Sequence, residues 1–129
     1  MSDKAILCVD DEALIVLSLK RELQQQLGVA YLIETALSAE EANELIEELV
    51  GRGIRILLII SDWLMPGIRG DEFLIAVHEK YPDIKAIMIT GHADDASIER
   101  LHKEARLYKL FTKPWNKSEL LQAVRDCLD

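Results

Sequence analysis

Residues 55–61, RILLIIS, form a run that is apolar on both faces when it is placed in an extended conformation. A strand with one solvated face alternates apolar and polar residues, whereas a strand in a parallel sheet that is covered on both faces does not alternate. The run leads directly into Asp62 and Trp63. It therefore predicts a central strand of a parallel sheet, with a carboxylate at its carboxyl end.

Strand-like and helical patterns alternate along the rest of the chain. The predicted strands are residues 4–10, 30–36, 55–61, 84–90 and 107–112. The apolar residues at helical spacing between and after them are Val16, Leu19, Leu23 and Leu27; Ala42, Leu45, Ile46 and Leu49; Phe73 and Val77; Ile98, Leu101 and Ala105; and Leu120, Leu121, Val124, Cys127 and Leu128. Ser38 with Glu41, and Asn116 with Glu119, have the spacing of helix-capping boxes. Five βα units predict an α/β fold with an open parallel sheet, because an eight-unit barrel needs about 250 residues.

Length and composition restrict the class of protein. With 129 residues, half of them hydrophobic, the chain is expected to form a single domain over residues 1–129 with its own core. A net charge of −8 disfavours binding of nucleic acid through its phosphates. Cys8 and Cys127 lie in apolar patterns and are expected to be buried thiols. The chain start lacks a signal-peptide pattern, and the apolar runs are shorter than the roughly 20 residues of a membrane helix, so a cytoplasmic domain without membrane contact is expected.

The carboxyl ends of the predicted strands carry the polar residues that could take part in binding or catalysis. They are Asp10, Asp11 and Glu12 after the first strand, Asp62 after the third, Thr90 at the end of the fourth, and Lys113 with Pro114 after the fifth. Taken singly, each has an ordinary interpretation, such as a helix cap for the first pair or a loop for the last. Ligands of open α/β sheets bind at this edge, so their joint placement predicts a functional site.

The residue types favour metal-assisted phosphoryl transfer. Clustered carboxylates resist joint ionisation unless a cation joins them, and Mg²⁺ prefers oxygen ligands. A carboxylate can accept a phosphoryl group to form an acyl phosphate, while an ammonium neutralises the phosphoryl oxygens. Asp62 suits the role of nucleophile, Asp10 and Asp11 suit the metal, and Lys113 suits the phosphoryl oxygens.

Over essentially its whole length the chain resembles the receiver domain of two-component response regulators, and four stretches carry the resemblance. They are ILCVDDE, LLIISDWLMPGIRGDEFL, AIMITGH and LFTKPW. The resemblance implies a doubly wound, flavodoxin-like (βα)5 fold with strand order 2-1-3-4-5. It also implies that Asp62 is the phosphoacceptor, and that Asp11, Asp62 and the backbone carbonyl of Leu64 bind Mg²⁺ while Asp10 acts through water. Lys113, joined to Pro114 by a cis bond, pairs with the phosphoryl group.

The resemblance further implies a conformational switch and a path for hydrolytic water. Thr90 follows the phosphoryl group, and its usual aromatic partner is replaced by Leu110, whereas Phe111 faces the other side of the sheet. Leu64 and His92 flank the approach of water to the phosphorus. Trp63, directly after the phosphoacceptor, is expected to be half exposed.

The implied function is that of a signalling domain that catalyses only its own phosphorylation and slow autodephosphorylation. The implied partners are a sensor histidine kinase or phosphotransfer protein, and an output domain or partner protein that contacts the fourth helix, fifth strand and fifth helix. The pattern is compatible with a phosphorylation-dependent homodimer and with a receiver that belongs to a longer regulator.

Three alternatives differ in their residues. A haloacid-dehalogenase-type phosphatase needs a second aspartate where this chain has Leu64. A flavodoxin binds phosphate in a loop after its first strand, where VDDEA would repel it. A pseudo-receiver, which binds partners without phosphorylation, remains open as the alternative function.

Overall fold

The computed structural model describes residues 3–91 and 95–128, in which strands and helices alternate. In chain order the elements are β1 (Lys4–Val9), α1 (Ala13–Leu27), β2 (Leu32–Ala36), α2 (Ala39–Gly51), β3 (Arg55–Ser61), α3 (Gly70–Lys80), β4 (Lys85–Thr90), α4 (Asp95–Glu104), β5 (Leu107–Thr112) and α5 (Lys117–Leu128). The predicted strands are confirmed, with small differences at their ends. The second strand begins later than predicted because residues Gly28–Ala30 form a 3₁₀ turn after α1.

The strands form one parallel sheet in the order β2-β1-β3-β4-β5. This order confirms the doubly wound α/β fold that the resemblance implied. The central position of β3 explains its lack of alternation, since helices cover both of its faces. Parallel pairing also brings the carboxyl ends of all strands to one edge of the sheet.

The two faces of the sheet bury separate hydrophobic clusters. Leu7 of β1 and Met88 of β4 face α2, α3 and α4, on what we call the α2–α4 face. Cys8 of β1 and Ile87 of β4 face α1 and α5, on the α1–α5 face. These four side chains are fully buried. The sheet is therefore a rigid layer with close-packed apolar side chains on both of its faces.

The helix starts agree with the capping patterns in the sequence. The Ser38 side-chain oxygen accepts a hydrogen bond from the Glu41 N–H at 3.1 Å, before α2. The Asn116 side chain accepts one from the Glu119 N–H at 3.0 Å, at the start of α5. Both capping predictions are confirmed. Among the helices in the described ranges, none combines the length and apolarity needed to cross a membrane.

Both cysteines are buried and unpaired by disulfide, as predicted. Burial raises the pKa of the Cys8 thiol to about 12 and, as the main cause, that of Cys127 to about 11. A thiol with such a pKa stays protonated near neutral pH and has little nucleophilic character. Cys8 and Cys127 therefore contribute packing to the α1–α5 face.

Candidate functional site

The sheet itself positions the backbone of the site residues. The Asp62 N–H donates to the carbonyl oxygen of Val9 at 2.9 Å, one residue beyond the end of β3. The Lys113 N–H donates in the same way to the carbonyl of Thr90 at 3.0 Å, one residue beyond β5. The ladder hydrogen bonds thus continue to the first residue of each loop, and they hold these residues in register with the rigid strands.

Three carboxylates meet at this edge of the sheet. Asp10, Asp11 and Asp62 each offer an oxygen atom, and these atoms lie within 4.8 Å of one another. Asp10 and Asp62 are buried, with 2% and 6% of their surface exposed, while Asp11 faces solvent. The cluster therefore has two buried carboxylates on the protein side and one carboxylate on the solvent side.

Lys113 extends its ammonium group into the carboxylate cluster. Its Nζ lies 2.9 Å from Oδ2 of Asp10, 3.4 Å from Oδ2 of Asp62 and 3.8 Å from Oε1 of Glu12. Burial lowers the pKa of Lys113, but its hydrogen bond to Asp10 and the charges of Asp62 and Asp10 outweigh this and raise the pKa above its usual value. Lys113 therefore remains a cation at neutral pH.

The carboxylate of Asp62 is held by two different neighbours. Its Oδ1 accepts a hydrogen bond from the Trp63 backbone N–H at 2.8 Å, and its Oδ2 faces Lys113. Burial and the charge of Asp10 raise the pKa of Asp62, although Lys113 and the Trp63 hydrogen bond act in the opposite direction. The single lysine therefore does not fully compensate the clustered negative charge.

The cluster fits a hard divalent cation. Carboxylate oxygens are the donors that Mg²⁺ prefers, and it takes one or two carboxylates and completes its shell with water and phosphate oxygen. The described residues supply such oxygens within 4.8 Å, and burial, together with the charge of Asp10, raises the pKa of Asp62. The donor set, the spacing and the electrostatics agree.

Asp10 has a local role as well. Its Oδ1 accepts the backbone N–H of Glu12 at 2.9 Å, while Glu12 at the N-cap of α1 makes no side-chain capping bond. The capping interpretation of Asp10 is therefore partly right, because its second oxygen remains directed to Lys113. One side chain orders the loop after β1 and contributes to the cluster.

The other predicted site residues differ in burial and in the face of the sheet that they occupy. Thr90 is buried at the end of β4 and Leu64 is 59% exposed in the loop after β3. Leu110 packs against the α2–α4 face, while Phe111 is buried on the α1–α5 face, as strand alternation predicted. The Lys113–Pro114 peptide bond is cis. His92 lies outside the described residues.

The expectation that Trp63 is half exposed was wrong. Its side chain is only 5% exposed and belongs to the α2–α4 hydrophobic cluster. The backbone explains this difference, because the Trp63 N–H is engaged with Asp62 and the Trp63 carbonyl accepts the N–H of Gly70 at 2.6 Å. With its backbone held at both groups, Trp63 packs its indole into the hydrophobic cluster.

The first turn of α3 carries a feature that sequence reasoning missed. Asp71 is 2% exposed and accepts two hydrogen bonds from the guanidinium of Arg69. Charged residues near a helix start are ordinarily solvated, so the residue types alone gave no sign of this burial. The only available sign of the ion pair was that Arg69 and Asp71 are two residues apart at the start of a helix.

Comparisons with known proteins agree with this site. A family profile described as "Response regulator receiver domain" matches residues 6–125. The chain belongs to the response regulator receiver family. This receiver domain is 36% identical, over 131 aligned positions, to the hydrogenase transcriptional regulatory protein HoxA of Cupriavidus necator. That match covers the whole of this chain but spans only 25% of the length of the relative.

Solved structures show the same fold. A CheY-like receiver domain protein from Methanospirillum hungatei is 30% identical, with a TM-score of 0.85 over 98% of this chain and 94% of that chain. The response regulator TrrA from Thermotoga maritima, solved in complex with Mg(2+)-BeF, is 32% identical, with a TM-score of 0.77 over 96% of this chain and 98% of that chain. Receiver domains of this family bind Mg²⁺ at an aspartate cluster, which corresponds here to Asp10, Asp11 and Asp62.

Proposed function

We propose that this receiver domain accepts a phosphoryl group on Asp62, in a Mg²⁺-dependent reaction, from a sensor histidine kinase or phosphotransfer protein. The observation that carries the proposal is the convergence of Lys113 Nζ on Asp62 and Asp10, at 3.4 and 2.9 Å, beside the exposed Asp11. These groups provide a nucleophile, an ammonium and metal ligands within one small volume.

The metal would be held by Asp11, Asp62 and the backbone carbonyl of Leu64, with Asp10 acting through water. When bound, Mg²⁺ supplies positive charge for the phosphoryl oxygens and relieves the repulsion among the carboxylates. The proximity of the three aspartate oxygens supports this assignment. The exposure of Asp11 leaves the solvent side of the site accessible to the ion.

The transfer itself is a displacement at phosphorus. A carboxylate oxygen of Asp62 forms the new O–P bond, the N–P bond of the donor breaks, and the donor imidazole leaves with the electron pair. The Trp63 N–H bond at 2.8 Å limits rotation of the carboxylate, which keeps it oriented for attack. Lys113 pairs with a phosphoryl oxygen, and its position between Asp10 and Asp62 needs little rearrangement for this.

The output of the domain follows from the elements beside the site. Thr90 ends β4 at the cluster and is buried, so we propose that its hydroxyl responds to the new phosphoryl group. Leu110 lies on the neighbouring strand, in register with Met88, and it replaces an aromatic switch residue. The resulting shift is passed through α4, β5 and α5 to an output domain, a partner protein or a second copy of the domain. The single domain of residues 1–129 would then be the receiver part of a longer regulator.

The proposal is tested by incubation with acetyl phosphate and Mg²⁺, followed by intact-mass measurement. We expect one phosphoryl group on the wild type, and no adduct on the Asp62→Asn variant or when a chelator is present. Asp83→Asn is the matched control, because it makes the same chemical change at an exposed position near the other end of β4. A wild type that remains unmodified with both acetyl phosphate and a phosphorylated histidine donor would favour a pseudo-receiver.

A further inference from the structure

The first turn of α3 is packed directly against the backbone of the phosphoacceptor. The Gly70 N–H donates to the carbonyl of Trp63 at 2.6 Å. A Cβ atom at Gly70 would collide with the carbonyl oxygen of Asp62 and would lie 2.8 Å from its carbonyl carbon and 2.9 Å from the Trp63 Cα. The turn and the residue that carries the reactive carboxylate therefore cannot move independently.

This turn is held by an ion pair in place of a side-chain cap. Arg69 occupies the N-cap of α3, and no side-chain capping bond is made there, since arginine offers no acceptor. Its Nε and Nη2 instead donate to the two carboxylate oxygens of Asp71, at 3.1 and 2.8 Å. Asp71 lies in the first helical turn, where a negative charge is favourable to the helix dipole.

The two partners of this pair differ strongly in burial. The side chain of Asp71 is 2% exposed, while that of Arg69 is 46% exposed. A buried carboxylate is stable only while its charge is compensated, and the bidentate guanidinium provides that compensation from the surface. Glu72, 3.7 Å from Arg69, is exposed and does not depend on the arginine in this way.

The loop between Trp63 and Gly70 connects this pair to the proposed metal site. The hydrogen bond from Gly70 to Trp63 joins the two ends of the loop, and Leu64 lies within this loop. The hydroxyl of Ser61 donates to the Asp62 carbonyl at 2.9 Å, on the same atom that Gly70 approaches. A displaced first turn would therefore disturb both the Asp62 carboxylate and the Leu64 carbonyl.

We propose that Arg69 and Asp71 are positioning residues for the phosphorylation site, acting through the contact of Gly70 with the Asp62 and Trp63 backbone. The inference rests on the proposed function, because it assigns the pair a role in presenting the Asp62 carboxylate and the Leu64 carbonyl to Mg²⁺. Neither residue is among the proposed metal ligands. Their effect is to hold the exit of the loop in one conformation.

The two single substitutions should differ in a way that identifies the mechanism. Arg69→Ala leaves the buried carboxylate of Asp71 uncompensated, so the turn should move to expose it to water. Asp71→Asn keeps the shape of the side chain and removes the charge, and it should perturb the site less. The double variant, Arg69→Ala with Asp71→Asn, should be closer to wild type than Arg69→Ala alone, because no unpaired charge remains buried.

The test is the Mg²⁺ concentration that gives half of the maximal rate of labelling by acetyl phosphate. We expect Arg69→Ala to raise this concentration about tenfold, the effect typical of residues that orient metal ligands, while the rate at saturating Mg²⁺ changes less. The double variant should recover at least half of the logarithmic change. Arg52→Ala is the matched control, since it removes an arginine of similar exposure, 54%, from an ion pair with Glu48 at the end of α2; its value should stay within about twofold of wild type.

The result that overturns the proposal is an Arg69→Ala variant that is less stable to heat but has an unchanged Mg²⁺ dependence, because that would describe a purely structural pair. If Arg69→Ala does not fold, Arg69→Lys replaces it, because lysine keeps the charge and loses the bidentate geometry. A Mg²⁺ dependence that is unchanged in both Arg69→Lys and Asp71→Asn overturns the proposal equally. If the wild type is not labelled at all, the proposed function fails separately. The Mg²⁺ dissociation constants from tryptophan fluorescence then test the positioning role, with the same expected tenfold difference.

Discussion

Asp62 combines burial with incomplete charge compensation. Its raised pKa has burial as the first cause and the charge of Asp10 as the second, against the lowering effect of Lys113. Lys113 has a raised pKa in turn, because its hydrogen bond to Asp10 and the charges of Asp62 and Asp10 outweigh its burial. The raised pKa of Asp62 and the raised pKa of Lys113 are consistent, because at Asp62 burial and the charge of Asp10 outweigh the attraction of one lysine. The arrangement leaves negative charge around Asp62 that a bound cation would compensate.

The first residue-scale prediction concerns the pH dependence of stability. A pKa that is raised in the folded state stabilises the fold below the unfolded value of 3.8, and that contribution is lost as the pH rises through the folded pKa. In metal-free buffer at neutral pH, Asp62→Asn should therefore melt above the wild type, by about 4 °C for each 1 kcal/mol in a domain of this size. The difference should shrink as the pH falls towards 4. Calorimetry at several pH values measures it, and a difference that grows on acidification would contradict the account.

The second residue-scale prediction concerns the lifetime of the phosphoryl group. Leu64 is 59% exposed, two residues after the proposed phosphoacceptor, and its side chain has no hydrogen-bonding group that could orient an attacking water. Leu64→Asn should therefore accelerate loss of the phosphoryl group, by about tenfold, because general positioning effects reach this size. The protein is labelled, the donor is removed, and decay is followed by intact mass.

The control for this lifetime experiment is Leu17→Asn on α1, because Leu17 is similarly exposed, at 57%. Its decay rate should match the wild type. Equal or slower decay in Leu64→Asn than in Leu17→Asn would show that the leucine does not limit access of water.

Individual residues were predictable from the sequence to different extents. The meeting of Asp62, Asp10 and Lys113 at one edge was predictable because their strands could be located from apolar runs, and parallel strands end at one edge. The burial of Trp63 was not predictable, since it depends on the hydrogen bonds that Trp63 makes to Asp62 and Gly70. Sequence neighbours suggested a solvated loop, and tertiary contacts turned the indole inward.

At the scale of elements, α3 is packed directly against the backbone of Asp62. It begins at Gly70, whose backbone lies against the Asp62 carbonyl. No side chain larger than hydrogen fits without moving β3 or the helix. This contact explains why a glycine occupies the first position of the helix.

The element-scale prediction compares two glycines. Gly70→Ala should reduce the free energy of unfolding by about 2 kcal/mol or more, because the new methyl group overlaps backbone atoms. Gly51→Ala, at the end of α2, meets no atom within 4 Å and should be neutral or stabilising by up to about 1 kcal/mol. Urea denaturation of both variants measures the difference. Equal stabilities for the two variants would show that α3 can move away from Asp62 without cost.

Most element positions were predictable, and the exceptions have local causes. The strands β3 and β5 have the predicted bounds because each is a continuous pattern with a polar residue at its end. The start of β2 was placed too early because a 3₁₀ turn occupies Gly28–Ala30. The Arg69–Asp71 pair was not predicted, since periodicity carries no information on how a helix N-terminus is held.

At the scale of the molecule, the sheet places three of the 23 acidic residues close enough together to bind a metal. The net charge is −8, and the sheet topology gathers Asp10, Asp11 and Asp62 at one edge. The alternation of elements was sufficient to predict this gathering. The strand order was implied by the family resemblance, because alternation alone does not distinguish the orders of an open sheet.

The molecule-scale prediction is a metal-dependent gain in stability. A ligand that binds only the folded state stabilises it by about 2.7 kcal/mol at a hundredfold excess over its Kd. The Tm of the wild type should rise with the logarithm of the Mg²⁺ concentration, and Asp11→Ala should shift this dependence to higher Mg²⁺. Asp83→Ala, which removes an exposed charge near the opposite edge, should leave it unchanged. A wild-type melting curve unaffected by millimolar Mg²⁺ would exclude a metal site at the cluster.

The most direct test of the central claim is the location of the phosphoryl group after labelling with acetyl phosphate and Mg²⁺. Labelled protein is digested under mild conditions and the modified peptide is sequenced by tandem mass spectrometry, in the wild type and in Lys113→Ala. We predict that the wild type carries the group on Asp62, as an acyl phosphate released by hydroxylamine, and that Lys113→Ala is labelled more slowly at the same residue. Phosphate on any other side chain, or labelling that persists in Asp62→Asn, would contradict the account.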